Sequence, residues 1–199
     1  FQCIDKPEIA IECHPGYLTE KQWMELVGAG FNRCSIGIQD LDETVLKTAN
    51  RRPSLLPLDK IFDILRTHGV SINLDFIYGL PGQTADSFAQ TINRAVELKP
   101  DRLVTFSYAH VPWVNKNQLI LEKAGLPTAE EKSKMYGRTG EIMKKHGYVP
   151  IGLDHFVQPD DSLNVALKNG MLHRNFQGYC TRATTGQVYA FGVTAISQL

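Results

Sequence analysis

The sequence has no long apolar run, no excess of one charge and no close pair of cysteines. No stretch approaches the roughly 20 consecutive apolar residues that a membrane-spanning helix requires. Lysine plus arginine and aspartate plus glutamate both number 21, so the 199-residue chain is neutral. It therefore gives no electrostatic reason to expect nucleic acid or a membrane surface as a partner. The apolar share of 43% and the charged share of 21% are typical of an ordinary globular domain.

The four cysteines are widely scattered, as Cys3, Cys13, Cys34 and Cys180. A zinc site requires close pairs such as C-x-x-C, and a disulfide framework is not expected in a chain of this size with so few cysteines. Cys13 and Cys34 lie inside or at the ends of apolar runs. We therefore expect reduced, mostly buried thiols and a cytosolic protein.

Strand-like runs rich in β-branched residues alternate with helical segments. Strands are expected at 8–12, 31–38, 71–78, 102–108 and 148–153, and two capping boxes, at Thr19 and Thr128, open two of the helices between them. This alternation implies right-handed crossovers and a parallel sheet with helices outside it. Five such units predict an α/β fold that is part of a parallel β/α barrel, because a full eight-unit barrel needs about 250 residues.

The alternation of strand-like and helical segments ends near residue 158. A short helix is expected after Asp160-Asp161, followed by the polar and aromatic segment His173–Tyr179 and a glycine-containing strand near 188–196. We therefore expect residues 1–157 to form the partial barrel, and residues 158–199 to form a substrate-pocket segment and the junction to a C-terminal domain. Because the chain begins without methionine and stops directly after a strand-like run, it is expected to be an internal piece of a longer protein.

In parallel barrels the loops at the carboxyl ends of the strands converge on the active site. That rule selects polar strand-end groups, which are Glu12, Gln39 with Asp40, Asp75 with Tyr78, Ala109 with His110, Asp154 with His155, and Arg51 after the second unit. Such a set suits a zwitterion with hydroxyl groups: carboxylates accept from ribose hydroxyls or an amine, arginine forks onto a carboxylate, and strand-end backbone pairs with an adenine edge. The alternative for each residue alone is a satisfied strand-end group. Asp75 fits that alternative least, because its neighbours are apolar and a buried carboxylate is costly without a partner.

Two further segments have competing interpretations. Gly79-Leu80-Pro81-Gly82-Gln83-Thr84 superficially resembles a phosphate loop, but it lacks the G-K-[ST] ending and is better explained as a tight strand-to-helix turn. The segment from His173 to Tyr179 combines cationic, amide and aromatic groups, which suit an anionic aromatic substrate. A polar loop anchored by two aromatic residues is the alternative.

Four motifs resemble one known family. They are Asp75–Thr84 (DFIYGLPGQT), Tyr108–Pro112 (YAHVP), Gly152–Phe156 (GLDHF) with Pro159-Asp160-Asp161, and Leu172–Tyr179 (LHRNFQGY). Together they resemble the oxygen-independent coproporphyrinogen III oxidases of the radical S-adenosylmethionine superfamily, and the resemblance covers essentially the whole chain.

The resemblance implies oxidative decarboxylation of two propionates of coproporphyrinogen III, giving protoporphyrinogen IX in haem biosynthesis. It implies a [4Fe-4S] cluster, S-adenosylmethionine as the source of a 5′-deoxyadenosyl radical, and an electron donor and acceptor. The complete protein is expected to be a cytoplasmic monomer. Position by position, the resemblance assigns S-adenosylmethionine contacts to Glu12, Gln39, Arg51, Asp75, the Ala109 backbone and Ile196. It assigns the pocket for substrate and a second S-adenosylmethionine, counted as catalytic, to Phe176 and Gln177, and Arg174 is our added candidate for a propionate partner.

The cluster motif of that family, C-x-x-x-C-x-x-C, is absent, as is the glycine-rich strand end that precedes Glu12 in the family. We therefore expect no metal ligands within this chain and no turnover by the chain alone. Three alternatives stay open: a haem-chaperone homologue that binds haem without decarboxylation, an anaerobic haem-degrading radical enzyme, and a metal-dependent barrel hydrolase using Asp75, His110 and Asp154.

Overall fold

The computed structural model describes residues 7–175, 178–181, 189–193 and 195–197. Its strands are β1 (Ala10–Cys13), β2 (Arg33–Gln39), β3 (Ser71–Tyr78), β4 (Arg102–Ser107), β5 (Val149–Ile151), β6 (His155–Val157), β7 (Leu172–Asn175) and β8 (Gly178–Thr181). Its helices are α1 (Glu20–Gly28), α2 (Glu43–Thr48), α3 (Leu58–Thr67), α4 (Ala85–Glu97), α5 (Gln118–Lys123), α6 (Ala129–Lys145) and α7 (Ser162–Lys168). The expected mixed α/β fold is confirmed, although α5 was not anticipated from the sequence.

Six strands form one sheet in the order β1-β2-β3-β4-β6-β5, and the first four are parallel. Each of the first three parallel pairs is joined by at least one helix, as the alternation of apolar patterns predicted. The four parallel strands are adjacent in the same order as they occur in the sequence, which is the strand order of a β/α barrel. The described strands do not close into a ring, so the sheet is a partial barrel wall.

The hydrophobic core lies between one face of this sheet and four helices. Helix α3 shows why: its fully buried residues Ile61, Phe62 and Leu65 share one stripe of the helix. The largest fully buried side chains include one from each of the four covering helices and several from the strands: Trp23 (α1), Phe62 (α3), Phe88 (α4), Met135 (α6), Ile36, Leu74 and Leu103. The opposite face carries α7 only at the β5–β6 edge, where Leu163 packs against Ile151 and Val157 in a second, smaller cluster.

The fifth expected strand has the expected direction, because β5 runs the same way as β1–β4, but it does not pair with β4: the antiparallel strand β6 lies between them. Residues 148–153 were expected to form one strand that ends at Asp154-His155. Instead β5 turns back at Gly152 and forms a hairpin with β6, and β6 pairs with β4 in antiparallel orientation. Gly152 has a φ of 62°, the left-handed conformation that glycine adopts without strain, and this allows the tight reversal. The sheet is therefore parallel except at this edge.

Two helix starts differ in one informative respect. The Thr19 capping box of α1 is complete, with hydrogen bonds in both directions between Thr19 and Gln22. At α6 the Thr128 hydroxyl accepts from Glu131 N, but the Glu131 carboxylate accepts from Ala85 N at 2.6 Å instead of returning to Thr128. Glu131 thus joins the first turn of α6 to the first turn of α4.

The segment His173–Tyr179 is not a loop outside regular structure. Its described residues belong to the antiparallel hairpin β7–β8, in which Arg174 pairs with Tyr179. The expected strand near 188–196 is not found at residues 189–193 or 195–197, and the rest of it lies outside the described residues. Among the described residues, no helix combines the length and apolar character needed to cross a membrane.

Candidate functional site

The two faces of the parallel sheet differ in chemistry. Side chains alternate along a strand, so Cys34, Ile36 and Leu74 point under the helices while Ser35, Asn73 and Asp75 point to the other side. We call this second side the open face. A parallel register places Glu12 beside Ser35 and Ser35 beside Asn73, and it places Gly37 beside Asp75 one pleat closer to the carboxyl ends. The open face therefore gathers polar groups from three strands.

Asp75 is the centre of a hydrogen-bonded group on the open face. Ser35 Oγ donates to Asp75 Oδ2 at 2.5 Å, and Asn73 Nδ2 donates to Asp75 Oδ1 at 2.8 Å and to Ser35 Oγ at 2.8 Å. Burial raises the pKa of Asp75 above its ordinary value, while the Ser35 and Asn73 bonds oppose that rise. The structure thus supplies the partners that a carboxylate among apolar neighbours requires.

A second polar group lies beside Asp75 at the end of β2, and we call Gly37, Gln39 and Arg51 the cradle. Arg51 Nη2 donates to the Gly37 carbonyl. A Cβ on Gly37 would lie 2.7 Å from Arg51 Nη2 and 2.9 Å from Gln39 Nε2, so a side chain there would displace the ends of both side chains from this arrangement. Gln39 has a φ of 68°, which is uncommon for this residue type, and the β2–β3 register shifts between Gly37 and Gln39.

The cradle contains unused hydrogen-bonding capacity. Gln39 Oε1 and Arg51 Nε are buried and have no hydrogen-bond partner among the described residues. Burial also lowers the pKa of Arg51, and nearby Asp75 partly offsets that effect. Orphaned buried polar atoms are costly unless a ligand satisfies them. A ligand carrying carboxylate, amine and hydroxyl groups, as S-adenosylmethionine does, would complement Arg51, Gln39 and Asp75.

The other three predicted contacts, Glu12, Ala109 and Ile196, are exposed and lie outside the cradle and the Asp75 network. Glu12 is exposed on β1, in the row of Ser35 and Asn73. Ala109 is exposed two residues past the end of β4, and its carbonyl accepts from Gln118 Nε2 at 3.2 Å. Ile196 is 46% exposed in a segment without regular structure. The structure brings Gln39, Arg51 and Asp75 together, and it shows no contact of Ile196 with them.

Of the three substrate-side candidates, the structure describes only Arg174, on the β7–β8 hairpin. Phe176 and Gln177 lie outside the described residues. Arg174 is exposed on β7, and its guanidinium carbon lies 5.9 Å from the centre of the Tyr179 ring. The guanidinium is therefore held over an aromatic face while its donors stay accessible to a carboxylate.

His155 connects this hairpin to the sheet. It is 6% exposed, on β6, and its Nδ1 lies 2.6 Å from Asp154 Oδ1. Its ring meets Tyr179 edge-on at 5.0 Å and Phe106 at 6.4 Å between ring centres. A Cβ on Gly178 would lie 2.7 Å from His155 Nε2, so the hairpin backbone packs directly on the imidazole. His155 was expected at a strand end, and the structure shows it as a packing support of the hairpin.

Asp40 is a structural residue rather than a ligand-binding one. It is 2% exposed, its Oδ1 accepts from Leu41 N, Asp42 N and Thr91 Oγ1, and its Oδ2 accepts from Gln83 Nε2 at 2.6 Å. Gln83 also donates to the Ile77 carbonyl. The Gly79–Thr84 segment is therefore a tight turn between β3 and α4 that Asp40 fastens to the end of β2, as the missing phosphate-loop pattern predicted.

Ser35 and Asn73 belong to the hydrogen-bonded group around Asp75, and the strand-end rule missed them. That rule considers only the last residues of each strand, and both residues lie in strand interiors. The available signal was alternation: Ser35, Asn73 and Asp75 occupy every second position among apolar residues. Polar residues at that spacing predict a polar inner face.

Metal ligands are not assembled by the described residues. No three histidine, cysteine, aspartate or glutamate side chains among them come together in a group able to hold a metal ion. Cys13, Cys34 and Cys180 are free thiols, and Cys13 and Cys34 are buried in the core. These residues therefore do not fit a [4Fe-4S] cluster.

A cavity of about 780 Å³ lies at the amino ends of the strands, away from the cradle. It is lined by polar residues that include Arg33 and Arg102. Arg33 pairs with Glu8 at 2.8 Å and Arg102 with Asp161 at 2.6 Å. Arg102 Nη1 is buried without a hydrogen-bond partner among the described residues. We nevertheless place the candidate site at the opposite, carboxyl end, because Asp75, Gln39 and Arg51 gather there and both guanidinium groups of the cavity are already paired with carboxylates.

A mainly parallel sheet with a polar cradle at the carboxyl ends of its strands is typical of a β/α-barrel protein that binds a ligand at that edge. Residues 2–95 match the sequence profile of the Radical SAM superfamily, as the resemblance predicted. Over 96% of its length the fold matches a solved structure described as coproporphyrinogen III oxidase from Escherichia coli, a radical SAM enzyme, with a TM-score of 0.87 and 42% identity.

The sequence is also similar, over 96–100% of the chain, to several oxygen-independent coproporphyrinogen III oxidases. It is 40% identical over 200 residues to the oxygen-independent coproporphyrinogen III oxidase of Synechocystis sp. and 41% identical over 200 residues to that of Escherichia coli. It is 38% identical over 192 residues to that of Helicobacter pylori. The chain spans 43%, 44% and 42% of these three relatives, so it corresponds to less than half of their length.

Proposed function

We propose that the complete protein converts coproporphyrinogen III to protoporphyrinogen IX by oxygen-independent oxidative decarboxylation. The observation that carries this proposal is the cradle beside Asp75, in a chain about 40% identical throughout to oxygen-independent coproporphyrinogen III oxidases. Fold alone supports many activities, so the proposal is argued from the residues of the site.

S-Adenosylmethionine is the proposed ligand of the carboxyl edge. Arg51 would bind its carboxylate, Gln39 and Asp75 its amine or hydroxyl groups, and Glu12 the ribose hydroxyls. The Ala109 backbone would pair with adenine, and Ile196 would contact the ligand through its apolar side chain. When bound, this cofactor supplies the radical that starts the decarboxylation. The residues of this chain bind and orient it.

The substrate pocket is proposed for the C-terminal part of the chain. We propose residues 1–157 as the partial barrel and 158–199 as the substrate-pocket segment with the junction to a further domain. Phe176 and Gln177 would line the pocket, and Arg174 would pair with a propionate carboxylate. The support is the position of β7–β8 against His155, which holds the hairpin beside the open face.

The cluster and the redox partners are proposed for the complete protein. The described residues do not fit a [4Fe-4S] cluster, so no step of the reaction is assigned to them through it. Each decarboxylation releases one carbon dioxide and leaves one electron, which requires an external acceptor, and an electron donor is needed to start each cycle. We further propose a cytoplasmic monomer acting without nucleic acid or membrane partners, supported by the neutral charge and the free thiols.

An assay of the complete encoded protein tests this proposal. The protein is reconstituted anaerobically with iron and sulfide, then given coproporphyrinogen III, S-adenosylmethionine and a reductant. Protoporphyrinogen IX and two equivalents of carbon dioxide are expected. Asp75→Asn should abolish product formation, whereas Asp63→Asn, on the exposed side of α3, should leave it unchanged.

Other products would contradict the proposal in distinguishable ways. Transfer of intact haem without carbon dioxide would indicate a haem chaperone, and an opened macrocycle would indicate haem breakdown. Hydrolysis without cluster absorbance would indicate a metal-dependent hydrolase. The described residues do not support that last outcome, because Asp75, His110 and Asp154 do not form a metal-binding group.

A further inference from the structure

We propose that Gln118 and Lys132 are positioning residues that hold the turn after β4 so that the Ala109 backbone can read an adenine ring. The inference rests on the proposed binding of S-adenosylmethionine. Neither side chain is required to touch the ligand. Both act by fixing backbone groups of residues 108–111.

Lys132 holds the first residue of the turn. Tyr108 N donates to the Tyr78 carbonyl at 2.8 Å, and the Tyr108 carbonyl accepts from Lys132 Nζ at 2.9 Å. The lysine stem reaches this carbonyl by crossing Gly79, where a Cβ would lie 2.8 Å from Lys132 Cε. Gly79 also has a φ of 88°, so glycine is required there both for the backbone and for the path of the lysine.

Gln118 bridges the next two backbone groups. Its Oε1 accepts from Val111 N at 2.6 Å, and its Nε2 donates to the Ala109 carbonyl at 3.2 Å. Gln118 is the first residue of α5, and its own N–H donates to the Asn115 carbonyl at 3.0 Å. One side-chain amide therefore closes the turn back onto the strand end.

These bonds determine which backbone groups remain available. The N–H and carbonyl of Tyr108 and the N–H of Val111 are all engaged, whereas the Ala109 N–H has no hydrogen-bond partner among the described residues. The Ala109 carbonyl has a second lone pair beyond the one used by Gln118. Because Ala109 is exposed, a ligand can reach this donor and acceptor.

A donor next to an acceptor is the complement of adenine. Adenine presents an amino donor beside a ring-nitrogen acceptor, whereas hypoxanthine has an oxygen in place of the amino group and loses that donor. Discrimination between the two bases therefore depends on how well the Ala109 groups are aimed. A loosened turn should lose this discrimination before it loses the rest of the ligand contacts.

The test compares S-adenosylhomocysteine with S-inosylhomocysteine as ligands of the complete encoded protein, by calorimetry. The wild-type protein should bind the adenine ligand at least about tenfold more tightly, the effect of one or two hydrogen bonds. Gln118→Ala and Lys132→Met should each lower this ratio about three- to tenfold. Lys123→Met and Lys134→Met, on exposed positions of α5 and α6, serve as matched controls and should not change it.

Each other outcome has a definite meaning. If the wild-type protein discriminates and neither variant changes the ratio, the positioning role is wrong. If the variants weaken both ligands equally and lower the thermal midpoint, their role is only structural, and the inference is again overturned. If the wild-type protein binds neither ligand, the proposed function fails together with this inference, which separates that failure from the first two.

Discussion

Ser35 Oγ and Asp75 Oδ2 are 2.5 Å apart, and this hydrogen bond joins two neighbouring strands on the open face of the sheet. Ser35 and Asn73 together engage both oxygens of the carboxylate. A carboxylate has about four acceptor sites, so further donors can still be accepted on the ligand side. The network thus orients Asp75 and leaves it able to bind an amine or a hydroxyl group.

Asp75→Asn should stabilise the protein at neutral pH while removing its ligand. Burial raises the pKa of Asp75, so its ionised form is less favourable in the folded state than in the unfolded chain. Each kcal/mol gained by removing this ionisable group should raise the thermal midpoint by roughly 2–4 °C. Binding of S-adenosylhomocysteine should fall by about tenfold or more, because an amide nitrogen replaces one of the two acceptor oxygens of the carboxyl group.

The pH dependence of that difference follows from the sign of the shift. Because the folded pKa lies above the ordinary value of 3.8, lowering the pH protonates wild-type Asp75 and relieves its unfavourable charge. The advantage of the asparagine variant should shrink as pH falls through the raised pKa and vanish below about 3.8. A constant difference in thermal midpoint between pH 7 and pH 4 would show that charge is not the cause.

Arg51→Met should weaken ligand binding with only a small net change in stability, because it removes the hydrogen bond to the Gly37 carbonyl together with an unsatisfied buried donor. Arg51 has a buried Nε without a described partner, and methionine fills similar apolar volume without that unsatisfied donor. Loss of a charge-assisted bond to a carboxylate costs about 1.5–3 kcal/mol, or about 10- to 100-fold in affinity for S-adenosylhomocysteine. Arg52→Met is the matched control, since exposed Arg52 lies over the Tyr17 ring at 4.9 Å. Equal losses in both variants would contradict a specific role for Arg51.

Asp40→Asn should destabilise the protein by about 2–4 kcal/mol, because an amide nitrogen would face a donor in a buried group that now accepts four hydrogen bonds. Asp42→Asn, two residues later, is the control: Asp42 caps α2, and asparagine caps a helix about as well. Chemical denaturation of both variants checks the prediction. Similar stabilities would show that Asp40 is not the fastening point of the Gly79–Thr84 turn.

The order of helices and parallel strands follows from apolar periodicity, and Ser71–Tyr78 was predicted with its observed bounds. Periodicity reports whether a segment is extended and which side is apolar. It does not report which strands are neighbours, so the antiparallel strand β6 between β4 and β5 was not predicted. The turn depends on Gly152, whose left-handed backbone is indistinguishable in sequence from an ordinary loop glycine.

The candidate site was predictable to a similar depth. Asp75 stood out because a buried carboxylate needs partners, and the structure supplies Ser35 and Asn73. The positions of Gln39 and Arg51 around Gly37 depend on a register shift at the end of β2, which no local pattern predicts. Contacts such as Lys132 with Tyr108 join segments 24 residues apart, and only the packed fold brings them together.

Gly178→Ala should detach the β7–β8 hairpin from His155 and thereby impair substrate binding selectively. Its φ of 126° disfavours any side chain, and a Cβ would lie 2.7 Å from His155 Nε2. His155 cannot easily yield, because it is 6% exposed and held by Asp154. Hydrogen exchange in β7–β8 should accelerate and affinity for coproporphyrinogen III should fall, with S-adenosylhomocysteine affinity unchanged within about twofold.

Gly192→Ala is the matched control, since φ is 123° there but a Cβ would meet nothing within 4 Å. If both variants behave alike, backbone strain rather than the contact with His155 explains the effect, and the support that His155 gives to the hairpin is refuted.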